Sequence, residues 1–269
     1  MSAARLLLLL LMCMAAPAQA GRGCQAQEPS PQAWAAAADT ALRVLETLES
    51  ADAPIALLSR AGTDLSAHGL HYSHLGFALR DHPAGRWTVV HLLNYCDSDR
   101  SALYAEGLLP FFADDLARQD ARISWLQPAL AEALAARLLA GAGQALHQPR
   151  YNLIARPGSP RTQNSTAWAL EMLAAAELPG RVDRRSAQAW LQAQGFAPDE
   201  VRIAYTRRIA GGLFAANLDF NDHPVSTRLG GRYPVVSVRA ILRYLQAGGR
   251  IAREWEWREG RVQKPPGAA

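Results

Sequence analysis

The sequence lacks the features that mark a nucleic-acid-binding protein or a chain divided by linkers. Lys264 is its only lysine, and the formal net charge of +4 is carried by arginines dispersed along the chain. No Ser/Gly linker, low-complexity tract or internal repeat interrupts it, so a single domain is predicted. The mildly basic balance favours anionic neighbours such as cell-envelope polymers without specifying one.

Long apolar runs are absent after the first twenty residues. Met1–Ala20 has a basic start, the apolar run Leu6–Met12 and a small-residue end, Ala18-Gln19-Ala20, which together predict a cleaved signal peptide. That apolar run is shorter than the roughly 20 residues that a membrane span needs. We therefore expect an exported protein, periplasmic or secreted, with no transmembrane segment and no nucleic-acid partner. One domain over residues 21–263 and a disordered tail over 264–269 should remain.

The most informative stretch is Tyr72–Asn94, which is typical of two strands joined by a turn. In the first run, His74–Arg80, large apolar residues alternate with other residues, as expected for a strand. The second run, Trp87–Leu93, is rich in β-branched and aromatic residues. Asp81-His82-Pro83-Ala84-Gly85, between the two runs, has the chemistry of a turn.

The pairing of these strands decides where two histidines lie. If Arg80 faces Trp87, then Gly76 faces His91, and His74 lies diagonal to His91 on the same face. Diagonal neighbours sit about 7–8 Å apart, within reach of a shared water or substrate. A slip of one residue would send the histidines to opposite faces. The alternative is a half-buried hairpin whose histidines satisfy local hydrogen bonds.

The second informative stretch is Tyr151–Ala176, in which a loop rich in proline leads into a helix. From Asn164 or Ser165 onward, Trp168 and Met172 lie on one helical face. We expect that face to pack against an antiparallel sheet, so the predicted fold class is α+β. Asn164 and Ser165 are N-cap residue types, and the helix dipole would also favour a nucleophile or an anion there. The sequence leaves both roles open.

Other segments carry weaker signals. A helix is expected over 31–50, because proline is tolerated at the first helical position. A second helix is expected over 101–116, capped by a serine and kinked or split at Pro110. Residues 251–257 alternate as an edge strand does.

A metal site is a further alternative. His68, His71 and His74 follow an H-x-x-H-x-x-H spacing, and His223 stands in a second Asp-His-Pro turn. However, that spacing suits a helix, whereas this stretch contains Gly69 and leads into a strand. We predict no metal and no other cofactor.

Several segments resemble an uncharacterised bacterial family of exported proteins. They are DLSAHGLHYSHLGFALRDHP, RWTVVHLLNYC, YNLIARPGSPRTQNSTAWALEMLAAA, and NDHP followed by YPVVSVRAILRYL. More distantly, the order of parts is similar to the circularly permuted papain-like superfamily, which includes NlpC-type cell-wall peptidases and lecithin:retinol-acyltransferase-like enzymes. This resemblance implies an antiparallel sheet packed by helices, with a cleft formed by two separate stretches of the chain.

The parts of that superfamily match this sequence with one departure. Ser73-His74-Leu75-Gly76-Phe77 resembles the strand that carries the catalytic histidine, and His91 falls where the orienting residue belongs. Tyr151-Asn152 stands in for a Tyr-Asp pair, and Asn164-Ser165 falls where a nucleophilic cysteine and a serine would be. Asn cannot act as a thiolate. Either Ser165 is a serine nucleophile with His74 as its base, or the pocket has lost its chemistry.

Three functional hypotheses follow. The favoured one is a non-catalytic exported protein that uses a papain-like cleft for ligand binding or as a scaffold, because Asn164 stands at the nucleophile position. The alternative is a serine-type amidase, peptidase or acyltransferase, with His74 as base, His91 as its orienting residue and Ser165 as nucleophile. In that hypothesis Asn164 and the amides of the helix would stabilise an oxyanion. A metal-dependent hydrolase ranks third. The candidate partner is a cell-wall peptide or another envelope ligand.

The cysteines generate the first testable prediction. Removal of residues 1–20 leaves Cys24 and Cys96, and an oxidising compartment favours their pairing. Closing that loop would contribute ~4 kcal/mol to the free energy of unfolding in the chain-entropy model. We expect mass mapping without reductant to find a peptide pair linked through these two residues.

The alternative role for Cys96 is a reactive thiol beside His91. If both thiols of the exported protein react with iodoacetamide, the disulfide prediction is contradicted, and Cys96 returns to the candidate nucleophiles.

Overall fold

The computed structural model describes residues 29–114, 116–208 and 215–263. The predicted signal peptide, the predicted tail and Cys24 lie outside the described residues, so the leader, the tail and the disulfide stay predictions. Cys96 lies in an exposed turn between two strands of the sheet. No described helix is long and apolar enough to cross a bilayer.

The described residues form strands and helices in a mixed order along the chain. The strands are β1 (Ile55–Ala61), β2 (His74–His82), β3 (Gly85–Asn94), β4 (Ser101–Glu106), β5 (Arg118–Leu126), β6 (Asp199–Arg202), β7 (Arg232–Val235), β8 (Ile251–Arg258) and β9 (Arg261–Gln263). The helices are α1 (Pro31–Glu49), α2 (Leu108–Ala113), α3 (Pro128–Leu139), α4 (Ala142–Ala145), α5 (Ser165–Glu177), α6 (Arg184–Ala193), α7 (Val225–Gly230) and α8 (Val238–Ala247). Two short 3-10 turns lie at Ser66–His68 and Phe220–Asp222.

Seven of the strands form one antiparallel sheet in the order β4-β3-β2-β1-β5-β8-β9. The predicted α+β class is therefore confirmed. β6 and β7 pair separately as a two-stranded ladder. The strand expected over 251–257 exists as β8, but it does not lie at the edge, because β9 pairs with its outer side.

The β2–β3 register is the one predicted from the sequence. Phe77 pairs with Val90, which in an antiparallel ladder places Gly76 opposite His91 and His74 diagonal to it. Both histidines therefore lie on the same face of the sheet.

Alternation along β2 sends its large apolar residues to one side of the sheet. Leu75, Phe77 and Leu79 form a buried layer with helix α5. There the ring of Trp168 meets the ring of Phe77 edge to face, with centroids 5.4 Å apart, and Met172 is fully buried in the same layer. The predicted helix face thus packs on the sheet as expected.

The opposite side of the sheet is covered by α1 and α2. Its buried layer includes Ala78 and Val89 from the hairpin and Phe111 from α2. The rings of His74 and His91 belong to this side, because their centroids lie 5.9 Å and 5.2 Å from that of Phe111. The hairpin thus separates the two histidines from the layer that contains α5.

The helix expected over 101–116 is wrong in its first half. Residues 101–106 form β4, and only Leu108–Ala113 is helical. The strand forms because these residues complete the ladder of β3, which outweighs the helical propensity of an alanine- and leucine-containing segment. Pro110 stands in the first turn of α2, where its missing amide hydrogen breaks no helical bond.

Close packing at Gly76 generates a stability prediction. A Cβ atom at this position would lie 2.6 Å from Val89 Cγ1 and 3.2 Å from His91 Cβ. Gly76→Ala should therefore lower the free energy of unfolding by about 1–3 kcal/mol, the usual range for overpacking, in a urea titration.

Gly230→Ala is the control for this substitution. A Cβ atom at Gly230 would meet nothing within 4 Å, and exchange of glycine for alanine in a helix is neutral or stabilising. If the two variants were equally stable, the close approach of β3 to Gly76 would be contradicted.

Candidate functional site

The two predicted histidines share a direct hydrogen bond inside the protein. His74 Nε2 lies 2.8 Å from His91 Nδ1, and both residues are buried. On the other side of its ring, His91 Nε2 lies 2.9 Å from Glu106 Oε1 of β4. The alignment of this second contact is poor for a hydrogen bond. Because Glu106 is partly exposed, the three side chains connect the buried layer with the surface.

A cation borders the histidine pair. Arg60 of β1 pairs with His74 across the ladder and is itself buried. Its guanidinium donates to a backbone carbonyl of α2 and to Asp114 Oδ2, the latter at 2.6 Å. Burial holds the pKa of His91 below its ordinary value; Glu106 opposes this shift and Arg60 adds to it. The site therefore favours a neutral His91.

Asn164 and Ser165 lie at the start of α5, and their polar groups form hydrogen bonds within the chain. Asn164 is the N-cap: its Oδ1 accepts from the Ala167 amide at 2.8 Å, and its Nδ2 donates to the Leu153 carbonyl at 3.2 Å. Ser165 is buried and hydrogen-bonded to Tyr151; burial raises the pKa of that tyrosine to about 12, and Ser165 opposes the rise. The structure thus gives Asn164 the capping role.

The structure brings His74 and His91 together and does not bring Asn164 and Ser165 to them. The first turn of α5 belongs to the layer that contains Phe77, whereas the histidines face the layer under α2. The convergence of all four residues, which the papain-like resemblance implies, is therefore corrected. The physical reason is the period of two along β2, which sends His74 and Phe77 to opposite sides of the sheet.

The histidines considered as metal ligands have separate partners. His71 Nε2 lies 2.9 Å from Asp120 Oδ2. His223 Nε2 lies 2.7 Å from the Ile154 carbonyl oxygen. Across residues 29–114, 116–208 and 215–263, no group of three or more histidine, cysteine, aspartate or glutamate side chains could hold a metal ion.

Asp222 anchors the loop that precedes α5. Its carboxylate accepts hydrogen bonds from Ser159 Oγ at 2.6 Å, from Thr162 Oγ1 at 2.9 Å and from the Arg156 amide at 2.8 Å. Burial alone would raise the pKa of Asp222, but these hydrogen bonds hold it below its ordinary value. The single buried carboxylate of Asp222 thereby holds the loop over 156–162 in its conformation.

Glu171, in the middle of α5, anchors the neighbouring helix in the same way. Its carboxylate accepts two hydrogen bonds from Arg184, at 2.8 and 3.0 Å, and one each from Gln163 and Gln188. Burial raises the pKa of Glu171, and these partners oppose the rise. Its donors hold α6 against α5.

A cleft of about 470 Å³ opens between this loop, α5 and α6. Its size falls in the range of small-molecule sites. Leu170, Leu191 and Phe196 supply apolar surface. Its polar side chains are Arg156, Glu171, Arg185, Gln188 and Gln192.

Two walls of this cleft lie in a stretch that stands out in the sequence, and the third does not. The loop and α5 belong to the stretch singled out above, whereas α6 lies outside it. The available signal was the spacing of Arg185, Gln188 and Gln192, which places three polar side chains on one helical face.

Comparison with known proteins gives one family. A family model described as an uncharacterized protein conserved in bacteria (DUF2145) matches residues 47–245. That range contains both histidines, the start of α5 and every residue that lines the cleft. No curated protein and no solved structure matches the chain.

The buried histidine pair generates a pH prediction. The folded state holds the pKa of His91 below its value in the unfolded chain, so the unfolded chain binds the proton more readily. Stability should be full above about pH 6.5 and should fall as the pH drops from there toward the folded pKa. The slope should reach at most about 1.4 kcal/mol per pH unit for this histidine. Urea midpoints measured from about pH 8 to pH 5 check this.

His91→Gln is the informative variant, because it removes the titration and keeps a hydrogen-bonding side chain. Its stability should depend less steeply on pH than that of the wild type over the same window. His68→Gln, in the 3-10 turn at the surface, is the control and should keep the steeper dependence. An unchanged slope in His91→Gln would contradict the prediction.

Proposed function

The chain belongs to the DUF2145 family of uncharacterized bacterial proteins, and we propose that it is an exported, non-catalytic protein that binds an envelope ligand in the cleft between α5 and α6. The observation that carries the proposal is the position of the cleft. Its apolar lining, which includes Leu170 and Leu191, belongs to the layer on the α5 side of the sheet. The paired imidazoles lie on the other side, so a ligand in the cleft meets guanidinium, amide and apolar groups, and the carboxylate of Glu171, which is already bound by Arg184. Export to the periplasm or the medium follows from the predicted signal peptide.

The second candidate is a serine-type amidase, peptidase or acyltransferase on cell-envelope peptides. One observation favours it: the 2.8 Å hydrogen bond between His74 and His91 is of the kind that holds a catalytic imidazole in one tautomer and orientation. The burial of Ser165 on the α5 side counts against it, because a general base must reach the proton that it removes.

Blocking the cleft generates the functional prediction. Ala189 lines the cleft from the exposed face of α6, so Ala189→Trp should fill it. We expect the wild-type protein to bind peptides released from bacterial cell wall in equilibrium dialysis read by mass spectrometry, and this variant to lose that binding. Ala193→Trp is the matched control, because Ala193 is exposed at the end of the same helix and does not line the cleft.

The same samples separate binding from catalysis. A binding protein returns the peptides with unchanged mass. Hydrolysed peptides, with hydrolysis lost in a folded His74→Ala variant and Ser165 labelled by a fluorophosphonate, would establish the enzyme alternative. Binding that survives Ala189→Trp would overturn the assignment of the ligand to this cleft.

A further inference from the structure

We propose that the cleft recognises a short peptide by its free C-terminal carboxylate, with Arg156 and Arg185 as the recognising groups. This inference rests on the proposed binding function and names the chemistry of its ligand. The guanidinium fork matches a carboxylate with two parallel hydrogen bonds.

Two adjacent arginines of α6 differ in their charge partners. Arg184 is held by the buried carboxylate of Glu171 at 2.8 Å. Arg185 is exposed and forms no ion pair with any residue in the described part of the chain, yet it lines the cleft. Arg184 therefore anchors α6, whereas the guanidinium of Arg185 remains available to a ligand.

Arg156 brings a second charge from the loop that forms another wall of the cleft. Its amide is fixed by the Asp222 carboxylate at 2.8 Å, and its Nε donates to the backbone carbonyl of Asp222 at 3.2 Å. No carboxylate among the described residues forms an ion pair with Arg156. Because the backbone and one nitrogen of this side chain are already held, binding an anion immobilises less of it.

Glu171 does not cancel these two charges. It is the acidic residue among the described lining residues, but Arg184 neutralises it and Gln163 and Gln188 occupy its oxygens. The remaining lining carries positive charge, which favours an anionic ligand.

The amides of α6 favour a peptide over an acyl chain. Gln188 and Gln192 lie one turn apart, and both line the cleft. Gln188 Nε2 donates to Glu171 and to the Ser159 carbonyl, and a glutamine side chain also has an acceptor oxygen. A peptide backbone supplies a donor and an acceptor at every residue, whereas an alkyl chain would leave these amides unmatched. Leu170 and Leu191 can receive small apolar side chains of the peptide.

Equilibrium dialysis tests the inference with three probes. They are a pool of N-acetylated tripeptides of alanine, valine and leucine with free carboxylates, the same pool as C-terminal amides, and decanoate. We expect the free acids to bind about tenfold more tightly than the amides, since a charge-assisted contact is lost. Decanoate should bind more weakly than the free acids.

The variants assign the effect to the cleft. Arg185→Gln should reduce binding of the free acids about tenfold and leave binding of the amides unchanged. Arg181→Gln is the matched control, because Arg181 is exposed and lies outside the cleft lining, and it should behave as the wild type.

The outcomes separate this inference from the proposed function. Equal binding of acids and amides, both lost in Ala189→Trp, would overturn carboxylate recognition and leave binding in the cleft intact. Preference for decanoate would overturn the peptide assignment. Absence of binding to the free acids would also overturn the inference, while cell-wall peptides would still decide the proposed function. Acid binding that persists in Ala189→Trp would overturn both.

Discussion

The register between β2 and β3 is the constraint on which the arrangement of side chains depends. Phe77 pairs with Val90, and this one pairing assigns every side chain of the hairpin to a side of the sheet. It places Phe77 in the buried layer that contains Trp168, and the two histidines in the layer that contains Phe111. A slip of one residue would send the two histidines to opposite faces and place one imidazole where α5 now packs.

The buried histidine pair contributes to holding that register. An imidazole removed from water without a partner is unfavourable, because its hydrogen bonds to solvent are not replaced. The 2.8 Å contact between His74 and His91 replaces one such bond for each ring, and it exists only when both lie on one face. Gly76 makes the approach possible, since any side chain there would collide with Val89. Function is therefore not needed to explain why polar residues lie within this layer.

Much of the architecture could be predicted from local patterns. Alternation, turn residues and β-branched content predicted the β2–β3 hairpin with its register, and helical periodicity predicted that Trp168 of α5 would face the sheet. Local patterns failed for residues 101–106, where pairing with β3 determines the structure.

Local patterns also did not predict how the candidate site residues lie relative to one another. β2 is buried on both faces over residues 74–79, so nothing in its sequence tells which face α5 covers, and the predicted convergence of His74 with Ser165 depended on that choice.

The polar groups near α5 divide into those that shape the cleft and those that remain available to a ligand. Asp222 and Glu171 are buried, and their oxygens are occupied by donors of the loop and of α6. These carboxylates hold the walls of the cleft in place. Arg156 and Arg185 also line the cleft, and their guanidinium groups can bind an anion. A site built this way can select a ligand by charge and shape, which is what the proposed binding role requires.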